Sequence, residues 1–97
     1  MDLDPVIHQP ARLRIVAALA ALPPTDSIEF TALRDLLGLT DGNLGAHLRK
    51  LEEAEYITVE KTFVERKPRT FMALSTKGRQ AFKRHVAALE EILKKSG

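Results

Sequence analysis

The chain has 97 residues, 44% of them hydrophobic and 29% charged, with no cysteine and a formal net charge of +2. That is one domain's worth of chain, enough for a small core yet marginal for standing alone, so support from a second subunit fits the size. The lack of cysteine excludes a disulfide framework, a thiolate metal site and a thiol redox sensor.

The acidic start MDLDPVIHQ has no basic n-region, so no signal peptide is expected. The longest apolar run, Ile15 to Leu22, is too short to cross a bilayer. The expectation is a single cytoplasmic domain over residues 1–97, without membrane contact. Its charge is unevenly placed. Met1 to Glu65 holds six Lys/Arg against eleven Asp/Glu, a balance of −5. Arg66 to Gly97 holds nine against two, a balance of +7.

Asp4-Pro5 and Gln9-Pro10 read as successive helix starts, with proline at the first helical position. From Ala11 to Leu22 the pattern is helical and nearly all apolar. Leu13, Val16 and Ala20 lie on one side, and Ile15, Leu19 and Leu22 on another. One face suits the domain. The other is either covered within the chain or meets a second copy, for which Ile15, Leu19 and Leu22 are the candidate contacts. Pro23-Pro24 stops the helix. Ser27 to Phe30 fits a short strand. Thr31 reads as the N-cap of a second helix carried by Leu33, Leu36 and Leu37, with Gly38 as its C-terminal stop.

The stretch Leu39 to Ile57, LTDGNLGAHLRKLEEAEYI, organises the rest. It predicts a helix of about fourteen residues between two turns, in which Leu44, Leu48 and Leu51 form one buried stripe. Thr40 caps it, and Asp41 in the first turn suits the helix dipole. Away from the stripe, its start is small, polar or cationic: Gly42, Asn43, Ala46, His47, Arg49 and Lys50. Glu52, Glu53 and Glu55 come only at the end. Gly42 and Gly45 each cost roughly 1 kcal/mol relative to Ala. They point to a surface kept bare for close approach or, for Gly45, to a helix–helix contact in the core. A helix entered through a tight turn from another helix is what a helix-turn-helix requires, so this one reads as a DNA recognition helix.

Ile57 to Val64 and Thr70 to Ser75 read as paired strands that bury Ile57, Val59, Met72 and Leu74 on one side. The loop between them, Glu65-Arg66-Lys67-Pro68-Arg69, carries three cations within four residues. A basic loop is usually solvated surface; beside a recognition helix it can also lie along phosphate or in a minor groove. Thr76 reads as the cap of a last helix running to about Lys95. There Phe82, Val86, Leu89 and Leu93 repeat at helical spacing, widened by Ala81, Ala88 and Ile92. This band can pack on the first helix of its own chain, of another chain, or of both.

The fold class is therefore mainly α with a small β-hairpin (α+β), a winged helix-turn-helix in the order α-β-α-α-β-β-α. The run from Leu39 through Ile57 resembles the LTxxxLSxHLKKLEEAGxI run of small bacterial and archaeal transcriptional regulators. It is similar to the MarR and ArsR groups, and in particular to compact single-domain winged-helix regulators. The continuation VEKTFVERKPRTFMALSTKGRQAF, from Val59 to Phe82, resembles their wing and the start of their last helix.

The resemblance implies that Thr40, Asp41, Gly42, Asn43, Ala46, His47 and Lys50 meet the major groove or its walls. Arg66, Lys67 and Arg69 would fall on the wing tip, and Thr31 would lie near a phosphate. It implies a homodimer through the first and last helices. Glu55 stands where the family usually has Gly, at a turn that often needs positive φ. The run FTALRDLLG lacks the cysteine motif of metal-sensing members.

On double-stranded DNA, Asn43 suits adenine, and His47 or Lys50 suits guanine acceptors or phosphate. Arg49 is a phosphate or intramolecular partner. No cofactor and no metal is expected; a site shared by His8, His85 and Glu90 is disfavoured. The chain has no Ser/His/Asp set, no cleft carboxylate pair and no phosphate-binding glycine loop, so it is not expected to be an enzyme. A small-molecule effector is compatible with the sequence, but no residue marks one. The alternative reading is a winged-helix protein–protein interaction module, since Thr40 to Thr70 carries six cations and six acids. RNA binding ranks lower for want of an aromatic stacking platform.

Overall fold

The structure is a computed structural model and describes residues 2–96. Its elements are α1 (Pro10–Ala20), β1 (Ile28–Glu29), α2 (Phe30–Leu37), α3 (Asp41–Glu53), β2 (Ile57–Val64), β3 (Lys67–Leu74) and α4 (Thr76–Ser96). The strands form an antiparallel sheet in the order β1-β3-β2. This is the winged-helix arrangement that the sequence predicts. None of the described helices is long and apolar enough to cross a membrane.

α1 opens on Pro10, and the Gln9 side chain accepts the Arg12 N–H at 2.9 Å. Proline suits this position because its missing N–H has no partner in a first turn. Packing from α2, α3, α4 and β3 surrounds α1, so Ile15, Val16 and Leu19 all sit in the chain's own core. This corrects the expectation for Ile15 and Leu19. They are not available to a second subunit, and only Leu22 of that set stays half-buried.

Asp4-Pro5 does not start a helix. Asp4 Oδ1 instead accepts the N–H groups of Val6 and Ile7 at 2.9 and 3.3 Å, making one turn that drives Ile7 fully into the core. α2 begins at Phe30, so its cap is Glu29 and not Thr31. Thr31 donates both its N–H, at 3.1 Å, and its hydroxyl to the Glu29 carboxylate. Gly38 ends the helix at φ +67, and Arg14 Nη2 adds a hydrogen bond of 2.8 Å to the last carbonyl, that of Leu37.

α3 is held by its Leu44, Leu48 and Leu51 stripe, all buried. Thr40 Oγ1 accepts the Asn43 N–H at 3.1 Å. The exit turn places Glu55 at φ +63, a conformation that favours glycine by about 1 kcal/mol. Hydrogen bonds help to hold it: Ser75 Oγ to the Glu55 carbonyl at 2.7 Å, and Ser75 N–H to the Tyr56 carbonyl at 3.0 Å.

The hairpin is tighter than the five-residue loop expected from the sequence. Only Glu65 and Arg66 form the turn, at φ +51 and +67, while Val64 pairs with Lys67 and Phe63 with Pro68. Two positive φ values give the turn a twist that matches the flanking strands. Pro68 is tolerated in β3 because it lies at a non-hydrogen-bonded pair, with its nitrogen facing away from β2. β1 pairs only as far as Phe71.

The cap of α4 is Ser75 and not Thr76. Ser75 Oγ accepts the Gly78 N–H at 2.9 Å, and its carbonyl accepts the Arg79 N–H at 2.9 Å. Gly78 permits a close approach: a Cβ there would lie 2.0 Å from the Tyr56 carbonyl oxygen. α4 turns Ala81, His85 and Ala88 inward.

Candidate nucleic-acid interface

The leucine stripe of α3 faces the core, which leaves the other side of its first turns outward. Thr40, Asp41, Gly42, Asn43, Ala46, Arg49 and Lys50 are exposed, and His47 is half-buried. A Cβ on Gly42 would meet nothing within 4 Å, and one on Gly45 would meet only the Arg49 guanidinium at 3.7 Å. Gly45 therefore serves no helix–helix contact within the chain. Both glycines keep a bare outer surface, at the cost in helix propensity that glycine carries.

Asp41 would place negative charge in this surface, but it is paired. Arg34 Nη1 reaches Asp41 Oδ1 at 2.8 Å, and Arg34 Nη2 reaches Asp35 Oδ1 at 2.9 Å. The hydrogen bonds to Asp41 and then to Asp35 push the already high pKa of Arg34 higher still.

His47 lies against α1. Its Nδ1 is 3.5 Å from Arg12 Nη1, and Arg12 Nε donates to the Val6 carbonyl at 2.5 Å. Burial, helped by the Arg12 charge, lowers the His47 pKa. The ring is then neutral near pH 7. With Nδ1 turned to a donor, its proton sits on Nε2 as a single hydrogen-bond donor. The pattern that picked out His47 carries no signal for Arg12, thirty-five residues away.

On the wing, Arg66 and Lys67 are exposed and make no ion pair among the described residues. Arg69 differs: its Nη1 is 3.8 Å from Glu29 Oε1. The Thr31 hydrogen bonds, ahead of Arg69, hold the Glu29 carboxyl below its usual range. Thr31 and Arg69 are thus linked through Glu29, a residue that sequence reasoning passed over. Lys61 adds a further exposed cation on β2.

The large apolar residues of α4 lie beside its buried Ala81, His85 and Ala88. Phe82, Val86 and Leu89 are half-buried, and Leu93 is 70% exposed.

A separate polar cluster sits where the N-terminal turn crosses α4. Asp4 N–H donates to His85 Nδ1 at 3.1 Å, and the Tyr56 hydroxyl donates to Asp4 Oδ2. Burial and then Asp4 push the Tyr56 pKa up to about 12. Burial, then the charge of His8, lowers that of His85. The His8 and His85 rings are 5.5 Å apart and tilted by 54°. A pocket of about 610 Å³ opens here, lined in part by Leu3, Val6, Arg84 and His85. Among the described residues, no group of three or more His, Asp or Glu side chains is placed to hold a metal.

Residues 11–93 match the winged helix DNA-binding domain family. An uncharacterized protein of Methanocaldococcus jannaschii is 34% identical over 89 residues, which is 92% of this chain and 94% of that protein. The structure of a transcriptional regulator homologue from Pyrococcus horikoshii is similar, with a TM-score of 0.82 and 29% identity, covering 92% of this chain and 85% of that one. ZitR, a zinc-responsive MarR family member from Lactococcus lactis, has a similar fold, with a TM-score of 0.62 and 23% identity, over 99% of this chain and 60% of that one.

Proposed function

Because this chain belongs to the winged helix DNA-binding domain family, we propose that it is a cytoplasmic, homodimeric and sequence-specific transcription regulator that represses by occupying its operator. The observation that carries this reading is the start of α3. Two glycines with open space above them, exposed Asn43, Arg49 and Lys50, and a wing bearing Arg66 and Lys67 lie on one chain.

The first turns of α3 enter the major groove. Gly42 and Ala46 let the helix sit close. Asn43 pairs with adenine, and the Nε2 donor of His47 and the Lys50 ammonium meet guanine N7 or O6 or a phosphate. Thr40, Thr31 and Arg49 lie toward the groove walls, with Asp41 kept neutralised by Arg34. Arg66, Lys67 and Arg69 supply affinity along phosphate or minor groove and read little sequence.

The second copy joins through α4, using Phe82, Val86, Leu89 and Leu93, with Leu22 at the margin. The exposure of Leu93 supports this. Two-fold symmetry then sets the recognition helices roughly 34 Å apart and makes the operator an inverted repeat.

Selection of fragments from random duplex DNA tests the reading. The expected result is a pair of inverted half-sites at fixed spacing, with binding that weakens steeply as salt rises. Absence of any enriched sequence, with binding indifferent to salt, would favour a winged helix used as a protein–protein module.

A further inference from the structure

The wing carries an aromatic side chain that the fold does not use. Ile57, Val59, Lys61 and Phe63 share one face of β2, opposite Leu74, Met72, Thr70 and Pro68 of β3. Ile57, Met72 and Leu74 are buried in the core and Val59 is half-buried. Beyond them the hairpin overhangs the core. There Phe63 is 74% exposed, above Leu93, Leu36, Ile92 and Val64. A strand end that met only water would be served by the Thr, Glu and Lys found at Thr58, Glu60 and Lys61.

The setting of Phe63 is specific. It stands opposite Pro68 in a non-hydrogen-bonded pair, where side chains come closest, so a rigid apolar ring backs it. Exposed Lys61 lies two residues back on the same face, and exposed Arg66 and Lys67 lie at the turn. An aromatic plate among cations matches a partner whose apolar strip runs between rows of anions. The minor groove is such a surface, with sugars and base edges between phosphate rails. A bare phosphate would need the cations without the ring, and an apolar protein groove would need the ring without the cations.

We propose that Phe63 is a minor-groove contact of the wing. Its ring seats against sugars and base edges while Lys61, Arg66 and Lys67 hold the phosphates, and it opens a pyrimidine–purine step, which unstacks most readily. This rests on the reading of the chain as a duplex-DNA regulator. It adds a residue that selects sequence through deformability rather than base hydrogen bonds.

The test uses the full chain and a duplex that the wild type selects from random sequence, with 2-aminopurine placed in turn at each pyrimidine–purine step flanking the half-sites. Phe63→Ala is expected to lose about tenfold in affinity, as an aromatic–base contact does. Its salt dependence should stay unchanged, whereas Arg66→Ala should lower the slope of log affinity against log salt by about 0.9. Probe fluorescence should rise at one step on binding of wild type or Phe63→Leu, and stay flat with Phe63→Ala.

The side chain is exposed, and an unchanged melting temperature confirms that Phe63→Ala is folded. Equal affinity of Phe63→Ala and wild type overturns the contact. A probe silent at every step in the wild-type complex overturns the unstacking. A wild type that binds no duplex sinks the regulator reading itself, and this inference with it.

Discussion

Two polar regions of this molecule are built on opposite terms. At the junction, Asp4 receives the Tyr56 hydroxyl and the N–H groups of Val6 and Ile7, and gives its own N–H to His85. Each of these partners comes from the same chain. On the recognition face, the side chains of Asn43, Lys50, Arg66 and Lys67 make no hydrogen bond or ion pair among the described residues, and the space over Gly42 is empty. A buried polar group left without a partner costs about 1–3 kcal/mol, whereas an exposed one is satisfied by water. The junction therefore holds the fold together, and the recognition face keeps its groups for a partner.

Breaking the junction should cost the most. Asp4→Ala strands the donors of Tyr56, Val6 and Ile7, and should lower unfolding free energy by about 1–3 kcal/mol in a urea titration. Duplex affinity of the folded fraction should not change, because Asp4 lies off the recognition face.

Acid should act on the same region more gently. Burial lowers the pKa of His85, which is 1% exposed, below its ordinary 6.5. The unfolded chain then takes up the proton first as pH falls. Stability is full above pH 6.5, declines below it by up to about 1.4 kcal/mol per pH unit for this proton, and levels off beneath the folded pKa. His47, also held neutral by burial, adds in the same direction. Melting temperatures between pH 7.5 and about 5 check this. A melting temperature that rose on acidification would contradict it.

The smallest effect separates the regions most clearly. Gly45→Ala should raise stability by about 0.5–1 kcal/mol, since its new methyl meets only the flexible Arg49 side chain. The same methyl should weaken duplex binding by holding α3 off the groove. Stability and affinity then move in opposite directions, which no variant at the junction should do.

The recognition helix was legible because its signals are local. Leu44, Leu48 and Leu51 at helical spacing, Thr40 as cap and Gly38 as stop all lie within fifteen residues. The turn at Glu55 was legible only through family resemblance, since glutamate carries no sign of positive φ. The wing turn was misjudged for the same reason: Glu65-Arg66 adopts a conformation usually signalled by Asn-Gly. Thr31 and Thr76 were misplaced as caps because the true caps, Glu29 and Ser75, lie within two residues and compete for the same N–H groups.

The junction was invisible in sequence, because Tyr56 and His85 reach Asp4 from 52 and 81 residues away. Ile15 and Leu19 show the same limit. An all-apolar helix declares that it is buried, not by which chain.

The most direct measurement is amide chemical-shift mapping as a selected duplex is titrated into the full chain. The account expects the large shifts at residues 40–50 and 63–69, with residues 4–8 and 85 left in place. Large shifts at the junction, with those of α3 and the wing unmoved, would contradict it.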